Sequence, residues 1–143
     1  MDISQLIADR AAADVYTCDV NDRVRQVVAM LAEKRIGALP VMQGDQLAGI
    51  FSERDLIYRM AEEGAACLEK PVGEVMTAPA ITVESTSTVI EALGMMTRRR
   101  IRHLPVIESG TMCGFISIGD LVKSRMDEIA NEAEAMRNYI QTA

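Results

Sequence analysis

Two serine–aspartate pairs carry the clearest chemical signal in this sequence. Ser52 and Asp55 follow one apolar stretch, Ser117 and Asp120 follow another, and each aspartate stands three positions after its serine. A hydroxyl and a carboxylate at this spacing fit a capping box, in which both accept hydrogen bonds from free N–H groups at the start of a helix. The residues alone therefore predict a strand that turns into a capped helix at each serine.

The other reactive side chains form no recognisable catalytic or metal-binding set. The chain has a single histidine, His103, and its three cysteines, Cys18, Cys67 and Cys113, lack the spacing of metal ligands. No nucleophile stands beside an evident base, and no phosphate-cradling loop with its lysine is present. We therefore predict no catalytic residue, no metal site and no enzymatic activity, and we expect the cysteines to be reduced and packed as small apolar groups.

Composition excludes further classes. The chain has 143 residues, of which 49% are hydrophobic and 25% charged, as in a soluble globular protein with one domain or two small ones. It contains no apolar run long enough for a membrane span and no signal peptide, so we predict a cytoplasmic protein that does not bind membranes. A net charge of −6 disfavours nucleic acid as a partner, despite a local run of arginines.

The elements that must position the two pairs are written twice in the chain. A shift of 65 positions without a gap places Gly49 on Gly114, Asp55 on Asp120, and the Leu-Pro-Val triplet at 39–41 on that at 104–106. Each copy has the order β-α-β-β-α, and copies of this size are expected to pack face to face, since neither can bury an adequate core alone.

Capping and strand signals give the expected elements and boundaries. Early strands are predicted over 15–18 and 80–83, and the helices that follow are predicted to be capped by Asn21 or Asp22 and within 85–87. The predicted segments are an N-terminal helix over 1–12, the first copy over 13–64, a connector over 65–75, the second copy over 76–125 and a C-terminal helix over 126–143.

The C-terminal helix carries a heptad-like seam of apolar residues spaced alternately by four and three: Val122, Met126, Ile129, Ala133, Met136 and Ile140. Two placements of this seam are open. The helix either lies along its own domain or pairs with a second subunit.

The doubled pattern of a strand, a helix, a Leu-Pro-Val strand and a strand ending in Gly-x-x-Ser-x-x-Asp resembles a tandem pair of cystathionine-β-synthase (CBS) domains, also called a Bateman module. The resemblance covers about residues 13–125 and is to stand-alone proteins of the bacterial type. It implies an α/β (α+β) fold of two β-α-β-β-α repeats around a pseudo-two-fold axis, with a short N-terminal and a longer C-terminal helix. It also implies two equivalent clefts between the repeats and a homodimer.

The same resemblance implies an adenosine-type ligand, with AMP favoured and ADP, ATP, NAD or S-adenosylmethionine as alternatives. Asp55 and Asp120 would each accept the two vicinal hydroxyls of a ribose. One cleft would combine Ser52, Asp55, Ala80, Ile81, Ile101, Arg102 and His103. The other would combine Ser117, Asp120, Val15, Tyr16, Ile36, Gly37 and Ala38.

The two copies differ where phosphate would bind. Arg102 and His103 match positions that hold phosphate in the AMP-sensing kinase γ subunits, although their order is swapped, so we expect two cationic phosphate donors in the Asp55 cleft. Arg98 and Arg99 are expected to complement a helix C-terminus instead. The cleft with Asp120 has fewer donors, so it would bind more weakly, bind another moiety or stay empty.

The function that this resemblance implies is a regulatory module that senses an adenine nucleotide and signals to an effector protein. The alternative is a structural module for oligomerisation that binds no ligand and in which the serines and aspartates act only as helix caps.

Overall fold

A computed structural model describes residues 1–11 and 14–142 of the chain. The last position of the predicted N-terminal helix, the first position of the predicted first copy and the final position of the predicted C-terminal helix lie outside the described residues. The helices are α1 (Ile3–Leu6), α2 (Val24–Lys34), α3 (Glu53–Glu63), α4 (Val89–Arg99) and α5 (Ile118–Thr142), and the strands are β1 (Cys18–Asp19), β2 (Ala38–Gln43), β3 (Gln46–Ser52), β4 (Val83–Glu84), β5 (His103–Glu108) and β6 (Thr111–Ser117). Two short 3₁₀ helices, Gly64–Glu69 and Val72–Glu74, connect α3 to β4.

The strands form two three-stranded sheets of identical topology, in the orders β1-β2-β3 and β4-β5-β6. In each sheet the first pair is parallel and the second is an antiparallel hairpin. Both hairpins shift register at equivalent points, between Val41 and Met42 and between Val106 and Ile107. The duplication and the β-α-β-β-α order are therefore confirmed. We call β1 to α3 repeat 1, and β4 to the start of α5 repeat 2.

The early strands and two helix caps differ from the prediction. β1 and β4 have only two residues each and begin later than expected, because Val15, Tyr16, Ala80 and Ile81 diverge from the sheets and line cavities instead. The helix α1 is also shorter than predicted, since it ends at Leu6 and continues as turns.

The N-cap of α2 is Arg23, because the Asp22 carboxylate accepts the Asp19 N–H instead and closes a turn (3.0 Å). The N-cap of α4 is Thr88, which forms a capping box with Glu91 through two hydrogen bonds of 3.1 Å. The predicted caps, Asn21 or Asp22 and the segment 85–87, are therefore wrong, since the observed caps lie one to three positions later.

Each repeat has its own buried cluster, and each cluster includes side chains from outside the repeat. Val72 and Val75, from the connector that leads into repeat 2, pack in repeat 1. Ile3 and Ile7, which lead into repeat 1, pack in repeat 2. The remaining core residues are Cys18, Val24, Val27, Leu31, Leu39, Val41 and Phe51 in repeat 1, and Val83, Val89, Ala92, Met96, Leu104, Val106, Ile116 and Leu121 in repeat 2. The repeats therefore exchange segments, and their cores do not merge into one.

Backbone hydrogen bonds fix both exchanged segments. Thr77 and Ile50 exchange two bonds, of 2.8 and 3.0 Å, which attach the segment just after the connector to β3. On the other side, the Ile3 N–H donates to the Ser87 carbonyl (2.8 Å) just before α4. A glycine also allows each segment to approach closely, Gly49 at the Thr77 backbone and Gly114 at the Ile7 side chain.

The last helix runs without interruption for 25 residues. Its first turns are anchored by Leu121, which is buried in repeat 2, but from Met126 onwards the apolar seam is exposed: Met126 is 65% exposed, Met136 64% and Ile140 69%. The predicted placement of this helix along its own domain is therefore not observed. None of the described helices is long and apolar enough to span a bilayer.

Two matched glycine substitutions test the segment exchange. A Cβ on Gly49 would lie 2.5 Å from the Thr77 carbonyl oxygen, which is backbone, whereas a Cβ on Gly114 would lie 3.0 Å from the Ile7 Cδ1, the mobile end of a side chain. We expect Gly49→Ala to lower the free energy of unfolding by about 1–3 kcal/mol and Gly114→Ala by less than about 1 kcal/mol, as measured by urea denaturation. Equal losses would contradict the close backbone contact at Gly49.

Candidate functional site

Two cavities of similar size lie between the repeats. The Asp55 cleft has a volume of about 330 Å³ and is lined by Gly37, Ala38, Ile50, Ser52, Glu53, Arg54, Asp55, Tyr58, Thr77, Ala80, Ile81, Arg99, Arg100, Ile101, Arg102 and His103. The Asp120 cleft has a volume of about 340 Å³ and is lined by Ile7, Asp9, Arg10, Ala11, Asp14, Val15, Tyr16, Ile36, Ala38, His103, Cys113, Gly114, Phe115, Ser117 and Asp120. Each cleft has walls from both repeats.

The structure brings most of the predicted site residues together. All seven residues predicted for the Asp55 cleft line it, and six of the seven predicted for the Asp120 cleft line that one. Gly37 is the exception. It lies in the wall of the Asp55 cleft, because its position opposite His103 faces that side, and a Cβ on Gly37 would come within 3.5 Å of the His103 ring.

The Asp55 carboxylate both caps α3 and faces the cleft. Its Oδ2 accepts hydrogen bonds from the Ser52 N–H (2.9 Å) and the Ser52 hydroxyl (3.0 Å), which completes the predicted capping box. Its Oδ1 accepts a bond from the Thr77 hydroxyl (2.8 Å). A hydroxyl thus already occupies the oxygen that lies on the cleft side of the cap, and a sugar hydroxyl has the same hydrogen-bonding chemistry.

The Asp120 carboxylate is held differently. Its Oδ2 accepts the Ser117 N–H (2.9 Å) in the equivalent cap, but its other partner is the guanidinium of Arg10, whose Nη2 lies 3.2 Å from Oδ1. Burial opposes the charged carboxylate, yet the Ser117 N–H and Arg10 together hold the pKa of Asp120 below its ordinary value.

The imidazole of His103 lies on the wall shared by the two clefts. It stacks on Phe115 with ring centroids 5.5 Å apart and planes inclined by 10°. Burial, and then the charge of Arg102, lowers the pKa of His103. The expected cationic donor is therefore a neutral imidazole at pH 7, although one of its ring nitrogens still carries an N–H that can donate.

Positive charge gathers at one end of the Asp55 cleft. The Arg102 guanidinium lies 3.8 Å from the Glu53 carboxylate in an exposed, weak pair, so little holds it there. Arg99 and Arg100 at the end of α4 line the same cleft, so Arg99 is not only a helix-end charge as predicted. Arg54 donates to the Arg100 carbonyl (2.8 Å) and ties α3 of repeat 1 to the end of α4.

Several lining residues were missed by sequence reasoning. Thr77 and Arg54 act through contacts 22 and 46 positions away in the chain, and Arg10 reaches a residue 110 positions away, for which local patterns give no signal. Thr77 alone could have been found, since it lies at the start of the predicted second copy, 76–125. The missed Arg10 places a cation in the cleft that was expected to be poor in phosphate donors.

Taken together, the Asp55 cleft offers a carboxylate that accepts hydroxyl hydrogen bonds, apolar walls from Ile50, Ile81 and Ile101, and a cationic end. This combination suits a molecule with an apolar ring, a sugar diol and an anionic group. Within residues 1–11 and 14–142, no three His, Cys, Asp or Glu side chains meet as a metal site would require.

Comparison with known proteins gives consistent matches. The family model of the CBS domain matches the chain twice, over residues 6–62 and 72–127. The mitochondrial CBS domain-containing protein CBSX3 of Arabidopsis thaliana is 37% identical over 129 residues, which are 87% of this chain and 63% of that protein. The chain thus spans less than two thirds of that relative's length.

Solved structures agree. The CBS-domain containing protein ATU1752 from Agrobacterium tumefaciens has a TM-score of 0.80 and 36% identity, covering 87% of this chain and 92% of that one. Two more distant structures share the fold: CBSX2 in complex with AMP (TM-score 0.75, 20% identity, coverage 88% and 96%), and the CBS domain pair of MJ0100 with 5′-methylthioadenosine and S-adenosyl-L-methionine (0.72, 19%, 86% and 98%).

The neutral state of His103 predicts a specific acid sensitivity. Its pKa in the folded chain lies below the ordinary 6.5, so the unfolded chain takes up the proton first and stability falls as pH drops through 6.5 towards the lowered value. His103 is the only histidine, and carboxylates titrate at lower pH. The melting temperature should therefore fall less between about pH 7.5 and pH 5.5 for His103→Gln than for the natural chain.

Arg102→Gln provides the second comparison, because it removes the Arg102 charge but leaves the burial that also lowers the pKa of His103. It should therefore reduce the loss of stability at low pH only in part. An unchanged loss in His103→Gln would show that another group is responsible.

Proposed function

The chain belongs to the CBS domain family, and from this we propose that it is a regulatory module that binds an adenine nucleotide, with AMP favoured, and signals its occupancy to another protein. We propose no catalytic role for it. The observation that carries the proposal is the Asp55 carboxylate, whose Oδ1 is held by the exchangeable hydroxyl of Thr77 between apolar walls and a cationic end. ADP, ATP, NAD and S-adenosylmethionine remain alternatives within the same chemistry.

In the proposed complex Asp55 accepts the ribose diol while it continues to cap α3. One sugar hydroxyl takes the place of the Thr77 hydroxyl at Oδ1, so no charged donor has to be removed. Ile81 and Ile101 offer apolar surface to the adenine ring, and Arg102 turns from Glu53 to the phosphate. His103, which is neutral in the unliganded chain, offers its ring N–H as a hydrogen-bond donor.

Two kinds of similarity support the ligand class. CBSX2 and the MJ0100 domain pair, which share the fold, were solved with adenosine compounds. The residues proposed for the Asp55 cleft also face one another in this chain. We also propose a cytoplasmic location and an effector protein as partner. The proposed segments are 1–12, 13–64, 65–75, 76–125 and 126–143.

The exposed apolar seam of α5 favours oligomerisation as a second candidate function. We propose that this seam packs against the same seam of a second copy of the chain. The heptad register that places Met126 and Ala133 at a, and Ile129 and Met136 at d, places Glu132 at g and Arg137 five positions later at e. In a parallel pair, residues at g and at the following e of the other helix are neighbours. Glu132 of each helix then faces Arg137 of the other, whereas the antiparallel arrangement that aligns the whole seam brings Lys123 next to Arg137.

The ligand proposal predicts a thermal shift. AMP at a hundred times its dissociation constant should stabilise the chain by about 2.7 kcal/mol, which differential scanning fluorimetry resolves. Asp55→Asn should abolish binding in the Asp55 cleft as measured by titration calorimetry. Arg102→Ala should weaken AMP more than adenosine, because only AMP presents a phosphate.

Each variant is compared with its own ligand-free melting temperature, since losing the Asp55 cap alone can lower stability by about 1 kcal/mol. Arg25→Ala is the matched control, because Arg25 is an exposed arginine that pairs with Glu69 outside both clefts. Equal weakening of AMP and adenosine by Arg102→Ala would remove the phosphate assignment, and no shift with any adenosine compound would leave only the structural alternative.

The dimer proposal predicts specific effects of charge. Light scattering at micromolar concentration should show a dimer, and Ile129→Asp with Met136→Asp should yield a monomer, whereas Ala135→Asp, off the seam, should not. In the parallel arrangement Arg137→Glu weakens the dimer and Glu132→Arg combined with Arg137→Glu restores it. Strengthening by Arg137→Glu alone would indicate an antiparallel pair, and a monomeric natural chain would refute the dimer.

A further inference from the structure

The two clefts differ in what binds the cleft-side oxygen of each aspartate. At Asp55 this oxygen accepts a neutral hydroxyl from Thr77. At Asp120 it accepts the Arg10 guanidinium, which reaches both carboxylate oxygens at 3.2 and 3.4 Å. The shift of 65 positions places Val75, a buried apolar residue, at the position equivalent to Arg10, so the Asp55 cleft has no counterpart of this cation.

Arg10 is held in position by the exchanged N-terminal segment. The backbone N–H of Arg10 donates to the Ile7 carbonyl (3.0 Å). Ile7 is buried in the core of repeat 2, where its Cδ1 lies against Gly114. The backbone that carries Arg10 is therefore attached to the wall of the cleft, while its side chain is 42% exposed and can turn.

This ion pair changes what the Asp120 cleft can accept. A sugar diol that binds Asp120 must compete with a charged donor, and hydrogen bonds between ionised groups are about twice as strong as neutral ones. An uncharged nucleoside offers Arg10 nothing in return. A nucleotide whose phosphate adjoins the ribose offers a second anion within the same cleft, so Arg10 can exchange one charged partner for another.

We propose that Arg10 makes the Asp120 cleft selective for ribonucleotides that carry a phosphate next to the ribose over uncharged adenosine compounds. The Asp55 cleft admits both, because only a hydroxyl has to be displaced there. This inference rests on the proposed function, since it takes the ribose contact of the aspartates from it. It assigns Arg10 as a specificity-determining residue and makes the two sites of one chain unequal in ligand range.

The test isolates the Asp120 cleft in an Asp55→Asn background and measures AMP and adenosine binding by titration calorimetry. In that background AMP should bind with one site per chain, and adenosine should bind at least about tenfold more weakly. Adding Arg10→Gln should strengthen adenosine and weaken AMP, so that the ratio of their affinities falls by at least about tenfold. Arg25→Gln in the same background is the matched control and should leave the ratio unchanged.

Failure of the inference can be told apart from failure of the proposed function. If the natural chain binds AMP but the ratio in the Asp55→Asn background is the same with and without Arg10→Gln, Arg10 is a surface ion pair only and the inference is wrong. If the Asp55→Asn chain binds neither compound even with Arg10→Gln while the natural chain binds AMP, the inference is also wrong. If the natural chain binds no adenosine compound, the proposed function itself fails.

Discussion

Each repeat lacks one side of its own buried cluster, and the segment that leads into the other repeat supplies it. Ile3 and Ile7 complete repeat 2, and Val72 and Val75 complete repeat 1. Burial of these apolar side chains is the dominant favourable contribution available to units of this size. Because each segment must cross from one repeat to the other, the space between the repeats is bounded by both, and the two clefts follow from the exchange.

The carboxylates that take part in the two helix caps also line the two clefts. In each capping box one oxygen of the aspartate accepts a hydrogen bond from the serine N–H, that of Ser52 or Ser117. This bond fixes the direction in which the second oxygen of the carboxylate points. The structural role of Asp55 and Asp120 therefore prepares them for a role in the clefts. The two explanations offered by the sequence were not exclusive, since a carboxylate has two oxygens and the cap needs one.

Much of the fold could be predicted because it depends on local and repeated patterns. The Leu-Pro-Val strands, the glycines at 49 and 114, and the Ser-x-x-Asp boxes recur at one period, and the structure has them in equivalent places. The caps at Arg23 and Thr88 lie one to three positions after the predicted ones, since several polar residues near each helix start compete for that role. The capping serines were predicted as partners of the carboxylates, but the partners that lie far away in the chain were not. Arg10 meets Asp120 only because α1 packs on the far repeat.

The unequal clefts follow from where duplication stops. Within the repeats the shift preserves serine, aspartate and glycine, so both pockets keep the same size and the same capped carboxylate. The segments leading into the two repeats are not copies of each other in this respect, since one brings an arginine to its carboxylate and the other a threonine. Differences between the clefts can therefore arise in these segments without disturbing either core, because Arg10 and Thr77 are exposed while the buried Ile7 and Val75 hold the backbone in place. A duplicated fold thus keeps its packing symmetric and its chemistry distinct.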